Sequence, residues 1–371
     1  MKPTRRVVVW GSGNMGRAAI RSILGTPGLE LTGLIVSNPA KVGRDAAELA
    51  DLPRRTGVLA TDDIASVLST SPDAVAYMAS GDIRPDEALD DVERCLRAGA
   101  TVVSPSFYPL YDHRSAPDDL RARMTAACGA GRASLFVSGV DPGWGNDLLP
   151  VLLSGLSTEI RSIRAQELFD YSNYDAPDTV RYLIGFGQPL DYDAPMISPT
   201  VPTMVWGSSI RMMARALDVE LDSIDEVVER RPLERTVTNA LGTFDEGTQG
   251  ALRFEVRGVV DGEPRLIVEH VTRIDPECAP DWPSPANRRG AFRVIIDGTP
   301  SLTVTIEPEG EGDNPAAGGN ATAANRLIGA IDGLCDAPPA IYDALEVPLP
   351  PAASRLARDQ PPGHDPDEDR P

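Results

Sequence analysis

The chain opens with a β-branched run, Val7, Val8 and Val9, that stops at Trp10 and gives way to apolar residues at helical spacing, Ala18, Ile20, Ile23 and Leu24. The same grammar repeats downstream. Residues 29–37 (LELTGLIVS) read as a strand and 45–52 as a helix after the polar turn at 38–44. Residues 74–78 and 101–104 read as strands, 85–98 as a helix ended by Gly99, and 117–129 as a helix with Leu120, Met124 and Ala127 on one side. A strand at 135–138 completes the series, so residues 1–150 are expected to form a doubly wound parallel sheet.

Beyond Pro150 the pattern changes. Residues 160–169, 251–260, 265–274, 292–296 and 302–306 are strand-like, and V-D-G-E at 260–263 and I-D-G-T at 296–299 supply hairpin turns. A second, α+β domain built on a mostly antiparallel sheet is expected over 151–315. Helical patterns at 203–217 and 224–229 follow a Pro-rich loop at 189–202, an insertion able to wall a pocket. A helix at 321–334, after the Gly/Asn/Ala-rich stretch 314–320, belongs to a segment 316–349 expected to return to the first domain. The acidic, Pro-rich residues 350–371 cannot bury enough apolar surface to order themselves.

With 371 residues the chain exceeds a single core, which agrees with two domains. The formal charge of -20 argues against nucleic acid or an anionic membrane as partner and favours a small molecule. Cys95, Cys128, Cys278 and Cys335 lie far apart without metal or C-x-x-C spacing, so they read as free thiols of a reducing compartment. The apolar run before Gly11 is too short for a signal peptide, and no apolar run reaches ~18 residues, so a cytoplasmic protein is expected.

The strand at Val7 ends directly in G-x-G-x-x-G and a helix follows, the context a dinucleotide-binding Rossmann loop requires. Gly11 permits the tight turn, Gly13 lets the backbone approach a pyrophosphate, and Gly16 lets helix and strand pack closely. Ser12, Asn14 and Met15 complete the loop. At the end of the second strand, where NAD sites carry an acid, this chain has Ser37 and Asn38, then Lys41 and Arg44. Hydroxyl, amide and two cations favour NADP, with NAD as the alternative; Lys41 and Arg44 as a solvated loop face is the bland reading. Nicotinamide-side contacts are expected from the loops after later strands, at Ala79, Ser80 and Ser104.

The run from Gly11 to Arg17 resembles the nucleotide loop of dihydrodipicolinate reductases. Four later motifs, GVDPGWGNDLLP at 139–150, QELFDYSNYD at 166–175, GFGQP at 185–189, and HVTR at 270–273 with DWP at 281–283, resemble the diaminopentanoate dehydrogenase and amine dehydrogenase branch of that superfamily. The resemblance spans residues 5–345. It implies a homodimer whose second domain closes an apolar pocket over the nicotinamide, and oxidoreduction of an amine/imine or ketone.

Two departures follow. The reductases' paired-His and Lys motif is absent where this chain reads Glu167, Leu168, Phe169 and Asp170, and the branch's catalytic glutamate, expected after V-V-S at 102–104, is replaced by Phe107 or Tyr108. Tyr108 and Tyr111 are candidate proton donors, or phenols bonded to backbone; Asp112 and His113 are a candidate acid/base pair, or a surface turn. Glu167 and Asp170 can bind a cation or act as base, or cap the turn before Tyr174. His270 matches a pocket position of the resembling family, or is a satisfied strand histidine. Phe107, Trp144, Tyr171 and Tyr174 are assigned to the substrate pocket, with Trp144 as an interdomain core residue the alternative, and Asp141 and Asp147 to the hinge backbone. No metal site is expected. The first reading is an NADP-dependent oxidoreductase acting on C=N or C=O; the alternatives are a reductase of a cyclic imine or unsaturated metabolite without ammonia, and a non-catalytic NADP-binding protein.

Overall fold

The computed structural model describes residues 3–81, 84–174, 176–287, 289–310, 316–353 and 355. The acidic tail beyond residue 355, expected to be unstructured, lies outside the described residues.

The N-terminal part alternates strands β1 (Arg5–Trp10), β2 (Leu29–Ile35), β3 (Ala60–Thr61), β4 (Ala74–Tyr77), β5 (Thr101–Ser104) and β6 (Leu135–Val137) with helices α1 (Asn14–Leu24), α2 (Ala46–Leu49), α3 (Ile64–Ser69), α4 (Pro85–Arg97) and α5 (Asp118–Gly131). Local chemistry sets the helix ends. Pro85 occupies the first turn of α4 with Asp86 and Glu87, Arg94 and Arg97 fall in its last turn, and Gly99 follows at φ +90°, each matching the helix dipole or the left-handed stop. The strands run parallel in the order β15-β6-β5-β4-β1-β2-β3, where β15 (Ile341–Tyr342) comes from the C-terminal end of the chain. This is the doubly wound sheet expected from the sequence, and apolar clusters cover both faces.

After α6 (Leu148–Ser154) come β7 (Glu159–Asp170), α7 (Val201–Leu217), β8 (Ser223–Pro232), β9 (Val237–Asn239), β10 (Gly242–Phe244), β11 (Gln249–Val260), β12 (Glu263–Arg273), β13 (Gly290–Thr299) and β14 (Leu302–Ile306). Six of these strands form a sheet of order β14-β13-β7-β12-β11-β8. It is mixed, because β7 and β12 pair in parallel at its centre while their other neighbours are antiparallel. One face packs α7 and the core around Phe254, Val268 and Val294. The other carries an Arg/Glu lattice in which Arg164 reaches Glu255 (2.6 Å) and Glu269 (2.5 Å), and Arg253 reaches Glu269 (2.7 Å). Helix α8 (Ala316–Asp336) then packs Leu327, Ile328 and Ile331 into the same cluster as Val7, Val9 and Ile20 of the first sheet.

Three local expectations are corrected. Residues 224–229 are not helical but lie in edge strand β8: Ile224, Val227 and Val228 mimic an i, i+3, i+4 stripe, and the ladder to β11 overrides it. The I-D-G-T at 296–299 is not a turn, because β13 continues to Thr299 with a register shift at Gly298. A Cβ at Gly298 would stand 2.3 Å from the Glu159 carbonyl, so glycine serves close strand approach there. The helix expected at 45–52 is the single turn α2. The V-D-G-E reversal does form, with Asp261 at φ +53° and Gly262 at +76° between β11 and β12, as a two-residue hairpin loop demands.

Candidate active site

The nucleotide loop is tightly folded between β1 and α1. Gly11 has φ +101° and a Cβ there would meet the Ala79 amide nitrogen at 2.9 Å; a Cβ on Gly16 would lie 2.0 Å from the Gly11 carbonyl. Neither position admits a side chain. A Cβ on Gly13, by contrast, would have no heavy atom within 4 Å, so this glycine leaves open the side from which a pyrophosphate would arrive. Gly13 caps α1 without any side-chain bond, which leaves the first-turn N–H groups pointing at that opening. The residues present therefore fit a dinucleotide.

Around the loop, Lys41 Nζ donates to the carbonyl (3.2 Å) and Oγ (3.0 Å) of Ser12, and Asn38 caps the following turn by accepting from the Ala40 amide at 2.9 Å. Arg44 pairs with Glu48 at 2.9 Å on the exposed face of α2. Buried Ser104 accepts from the Ser106 amide (3.1 Å), and Ser106 Oγ donates to the Ala79 carbonyl (2.7 Å), so the loops after β4 and β5 are tied together beside Gly11. Ser80 is exposed, Ser37 follows β2 after one buried residue, and Met15 packs on the core beneath α1.

A cavity of about 520 Å³ opens where the two sheets meet. Its floor is Glu167 and Phe169 of β7, His270 of β12 and Phe292 of β13; its walls are Tyr108, the 140–142 loop, the π-helical turn Thr179–Leu183, the first half of α7 and the start of α8. Register explains the floor: His270 pairs with Glu167 on one side and Phe254 on the other, and Glu167 with Phe292, so all point to one face.

His270 is 4% exposed and stacked on Phe254 (centroids 4.9 Å, 10°). Its Nδ1 stands 3.6 Å from Asp141 Oδ2 and its Nε2 3.8 Å from Glu167 Oε1, and neither nitrogen has a hydrogen bond. Asp141 Oδ1 accepts from Asn146 Nδ2 (2.6 Å) and from Trp206 Nε1 of α7; Ser209 in turn donates to Asn146 Oδ1 (3.0 Å). Burial and the neighbouring Asp141 carboxylate hold Glu167 well above the usual carboxyl range. Burial alone would raise Asp141 too, but His270, Glu167 and Trp206 keep it below the usual range. The pair is thus divided into one acid that holds its proton more tightly than usual and one that gives it up more readily. Burial and Glu167 also push the Tyr171 phenol, 3.5 Å from Glu167 Oε1, well above its ordinary value, so it stays a neutral donor; Tyr174 stacks on it at 4.7 Å.

The structure brings Tyr108, Glu167, His270, Tyr171 and Tyr174 to this cavity. Phe107 is not among the lining residues: its backbone turns at φ +73° and its ring packs on Tyr77 at 5.7 Å, so the adjacent Tyr108 faces the pocket instead. Trp144 is likewise corrected, since it packs edge-on against Phe292 (5.5 Å) and donates to Thr322 Oγ1 of α8 (3.2 Å) behind the wall. Tyr111 donates to the Pro105 carbonyl at 2.8 Å. Asp112 and His113 face different partners, Arg215 (2.8 Å) and Glu346 (3.2 Å). Asp170 accepts from the Ser172 amide (2.8 Å), and Asp147 caps α6.

Asp141, assigned to the hinge from sequence, is instead central to the site. No local pattern marks it. Asp141, Glu167 and His270 present ligand-type atoms within 4.8 Å of one another, a grouping hidden by their separation in the chain.

Residues 146–361 match the family described as 2,4-diaminopentanoate dehydrogenase C-terminal domain, and residues 5–104 match dihydrodipicolinate reductase, N-terminus. The chain is 62% identical over 355 residues to an amine dehydrogenase of Streptomyces virginiae, covering 95% of this chain and 99% of that one. It is 23% identical over 360 residues to a 2,4-diaminopentanoate dehydrogenase of Acetoanaerobium sticklandii, covering 95% and 96%. The solved amine dehydrogenase of Mycobacterium smegmatis shares the fold, with a TM-score of 0.73 at 21% identity over 93% of this chain and 97% of that one. The chain belongs to the amine dehydrogenase and 2,4-diaminopentanoate dehydrogenase branch of the dihydrodipicolinate reductase-like, nicotinamide-dependent oxidoreductases.

Proposed function

We propose that this protein interconverts a primary amine of apolar body with the corresponding carbonyl compound and ammonia, using NADP. The observation that carries this reading is an acid cluster set into an otherwise apolar cavity. Among the described lining residues the ionisable ones are Asp141, Glu167, His270 and three tyrosines, with no Lys or Arg. A cation is therefore welcome at the floor, while a substrate carboxylate would be buried without a partner. That argues for a simple amine over an amino acid.

When bound, the nicotinamide supplies or accepts a hydride at the substrate carbon. The chain manages charge and protons. Asp141, kept ionised by Trp206, Asn146 and His270, offsets the positive charge of the iminium nitrogen. In the aminating direction Glu167 donates its proton to the oxygen that leaves as water; in the deaminating direction it takes that proton back from the attacking water. It thereby does from β7 what the missing glutamate after β5 is expected to do. Tyr108 and Tyr171 are further hydroxyl donors at the rim and floor.

For the cofactor, the hydroxyl, amide and cation of Ser37, Asn38 and Lys41 on the loop after β2 support NADP, as does the nearest acid after β2, Asp45, being consumed in bonds to the Ala47, Thr56 and Gly57 amides. The working unit is a homodimer, which the family resemblance supports. The four free cysteines suit the reducing cytoplasm, and among the described residues no helix is long and apolar enough to cross a membrane.

The test is NADPH oxidation with 2-heptanone, with and without ammonium, and NADP reduction with 2-aminoheptane and with alanine. Ammonium-dependent turnover and oxidation of 2-aminoheptane but not alanine are expected. Turnover of the ketone that ignores ammonium would replace this reading with a carbonyl or imine reductase.

A further inference from the structure

Helix α7 lines the cavity with Val201, Met204 and Val205 and donates from Trp206 to Asp141. Its other end leaves the site altogether. Arg215, nine residues past Trp206 and so ~13 Å along the axis, donates to Asp112 Oδ1 (2.8 Å) and to Asp343 Oδ2. These two carboxylates are 3% and 0% exposed and come from separate segments: the turn after Tyr108 on the loop following β5, and the end of β15. Arg211, one turn earlier, donates to Ser115 Oγ (2.8 Å), which itself donates to Asp112 Oδ2 (2.7 Å).

We propose that Arg215 and Asp112 are positioning residues, which through α7 fix the Asp141–Glu167–His270 cluster relative to the nucleotide loop. The proposal rests on that cluster being the reacting centre. Trp206 lies on α7, on the second sheet's side of the cavity with Glu167 and His270, whereas Asp141 sits on the loop leaving β6 and the loop that would carry the cofactor follows β1, both of the first sheet. The clamp is built from the first sheet's own loops and grips a helix stiff enough to transmit a shift along its length. Arginine suits the task, because its planar fork spans two carboxylates from different segments where a point-charge ammonium would serve one. The clamped turn also carries Tyr108, so the rim of the pocket and its floor are referenced to one bridge. A misplacement of ~1 Å far from the chemistry can slow a reaction by ~100-fold, so the clamp acts on the rate of the chemical step and leaves cofactor affinity alone.

The test compares wild type, Asp112→Asn, Arg215→Lys and Glu167→Gln. NADPH affinity is measured by fluorescence, hydrogen exchange by mass spectrometry over residues 201–209, and 2-aminoheptane oxidation with and without deuterium at the transferred position. Expected for Asp112→Asn and Arg215→Lys are NADPH affinity within about twofold of wild type, faster exchange at 201–209, kcat lower by about tenfold or more, and a larger isotope effect. Asp112→Asn keeps the shape of the side chain and Arg215→Lys keeps the charge, so a failure to fold by one leaves the other to decide. A lower melting temperature with unchanged exchange at 201–209, kcat and isotope effect would reduce the clamp to a fastening and overturn the proposal. Loss of turnover in Glu167→Gln together with intact Asp112→Asn and Arg215→Lys overturns the clamp alone; full turnover in Glu167→Gln overturns the site reading beneath it.

Discussion

Glu167 and His270 are direct cross-strand partners in the parallel pair β7–β12 of the second sheet, with His270 Nε2 3.8 Å from Glu167 Oε1. Their side chains share a face because the register permits nothing else, and Asp141 reaches His270's other nitrogen from the hinge loop. Acid chemistry at this spot therefore depends on a strand pairing made late in the chain.

Glu167→Gln should lower kcat by ~100- to 10,000-fold, the usual worth of general acid or base help, while leaving the fold intact because glutamine keeps the shape and carries no charge. Steady-state 2-aminoheptane oxidation checks it. Restoring the missing glutamate as Phe107→Glu should not rescue that loss, since position 107 packs against Tyr77 and away from the cavity. Recovery of activity in the double variant would show that the β5 loop rearranges to face the substrate.

Reductive amination needs Glu167 protonated. Its carboxyl is held well above the usual range by burial and by Asp141, so the reductive kcat should be flat at low pH and fall as pH rises through that raised value. A pH profile of NADPH oxidation measures this. In Glu167→Gln the residual rate should lose that limb; an unchanged limb would assign it to another group.

Gly13→Val should fold, as a Cβ there has no heavy atom within 4 Å, yet weaken NADPH by about tenfold or more by occupying the pyrophosphate's approach. Gly16→Ala offers the contrast, with its Cβ 2.0 Å from the Gly11 carbonyl, and should damage folding as well. Fluorescence titration and thermal melts separate the two. Unchanged NADPH affinity in folded Gly13→Val would refute the loop's assignment.

Replacing Lys41 and Arg44 by Ala should weaken NADPH by about tenfold, the worth of a charge-assisted bond to phosphate of ~1.5 to 3 kcal/mol, and leave NADH nearly unchanged. Lys41 should contribute more, as it is seated on Ser12 of the nucleotide loop, whereas Arg44 is engaged with Glu48. Equal losses for both cofactors would remove these residues from recognition of the 2′-phosphate.

Asp147 is fully buried at the start of α6, one carboxylate oxygen lacks a partner, and burial pushes its carboxyl up to about 7. The folded state then holds a proton that the unfolded chain has lost, so stability falls as pH rises from about 4 through about 7. Asp147→Asn imitates the protonated acid and can still cap the helix. It should be close to neutral at pH 4 and stabilise by up to ~4 kcal/mol at pH 8, since each tenfold difference in proton affinity between the folded and unfolded chain is worth about 1.4 kcal/mol. Thermal melts at the two pH values test the sign; a variant less stable at pH 8 would place a needed charge at Asp147.

What the amino-acid order determines by itself is whatever is settled within a few residues. The nucleotide loop is legible because Gly16 answers to the backbone of Gly11 only five residues away, and because a β-branched strand and an apolar helical stripe flank the turn; the clash that reserves Gly11 for glycine comes from Ala79 after β4 and is tertiary. The long strands β11 and β12 and the short β14 are legible for the same reason, through alternation and, between β11 and β12, a D-G turn. Edge strand β8 is not, since neither face is fully buried and its apolar residues fall at helical spacing. The site is the larger omission. Whether Phe107 or Tyr108 enters the pocket was decided by one left-handed backbone turn, and Asp141 joined Glu167 and His270 because β12 pairs beside β7 and α7 brings Trp206 over the hinge. Such convergence is a property of register and domain closure, which act between segments far apart in sequence, and no pattern along either segment encodes the other's position.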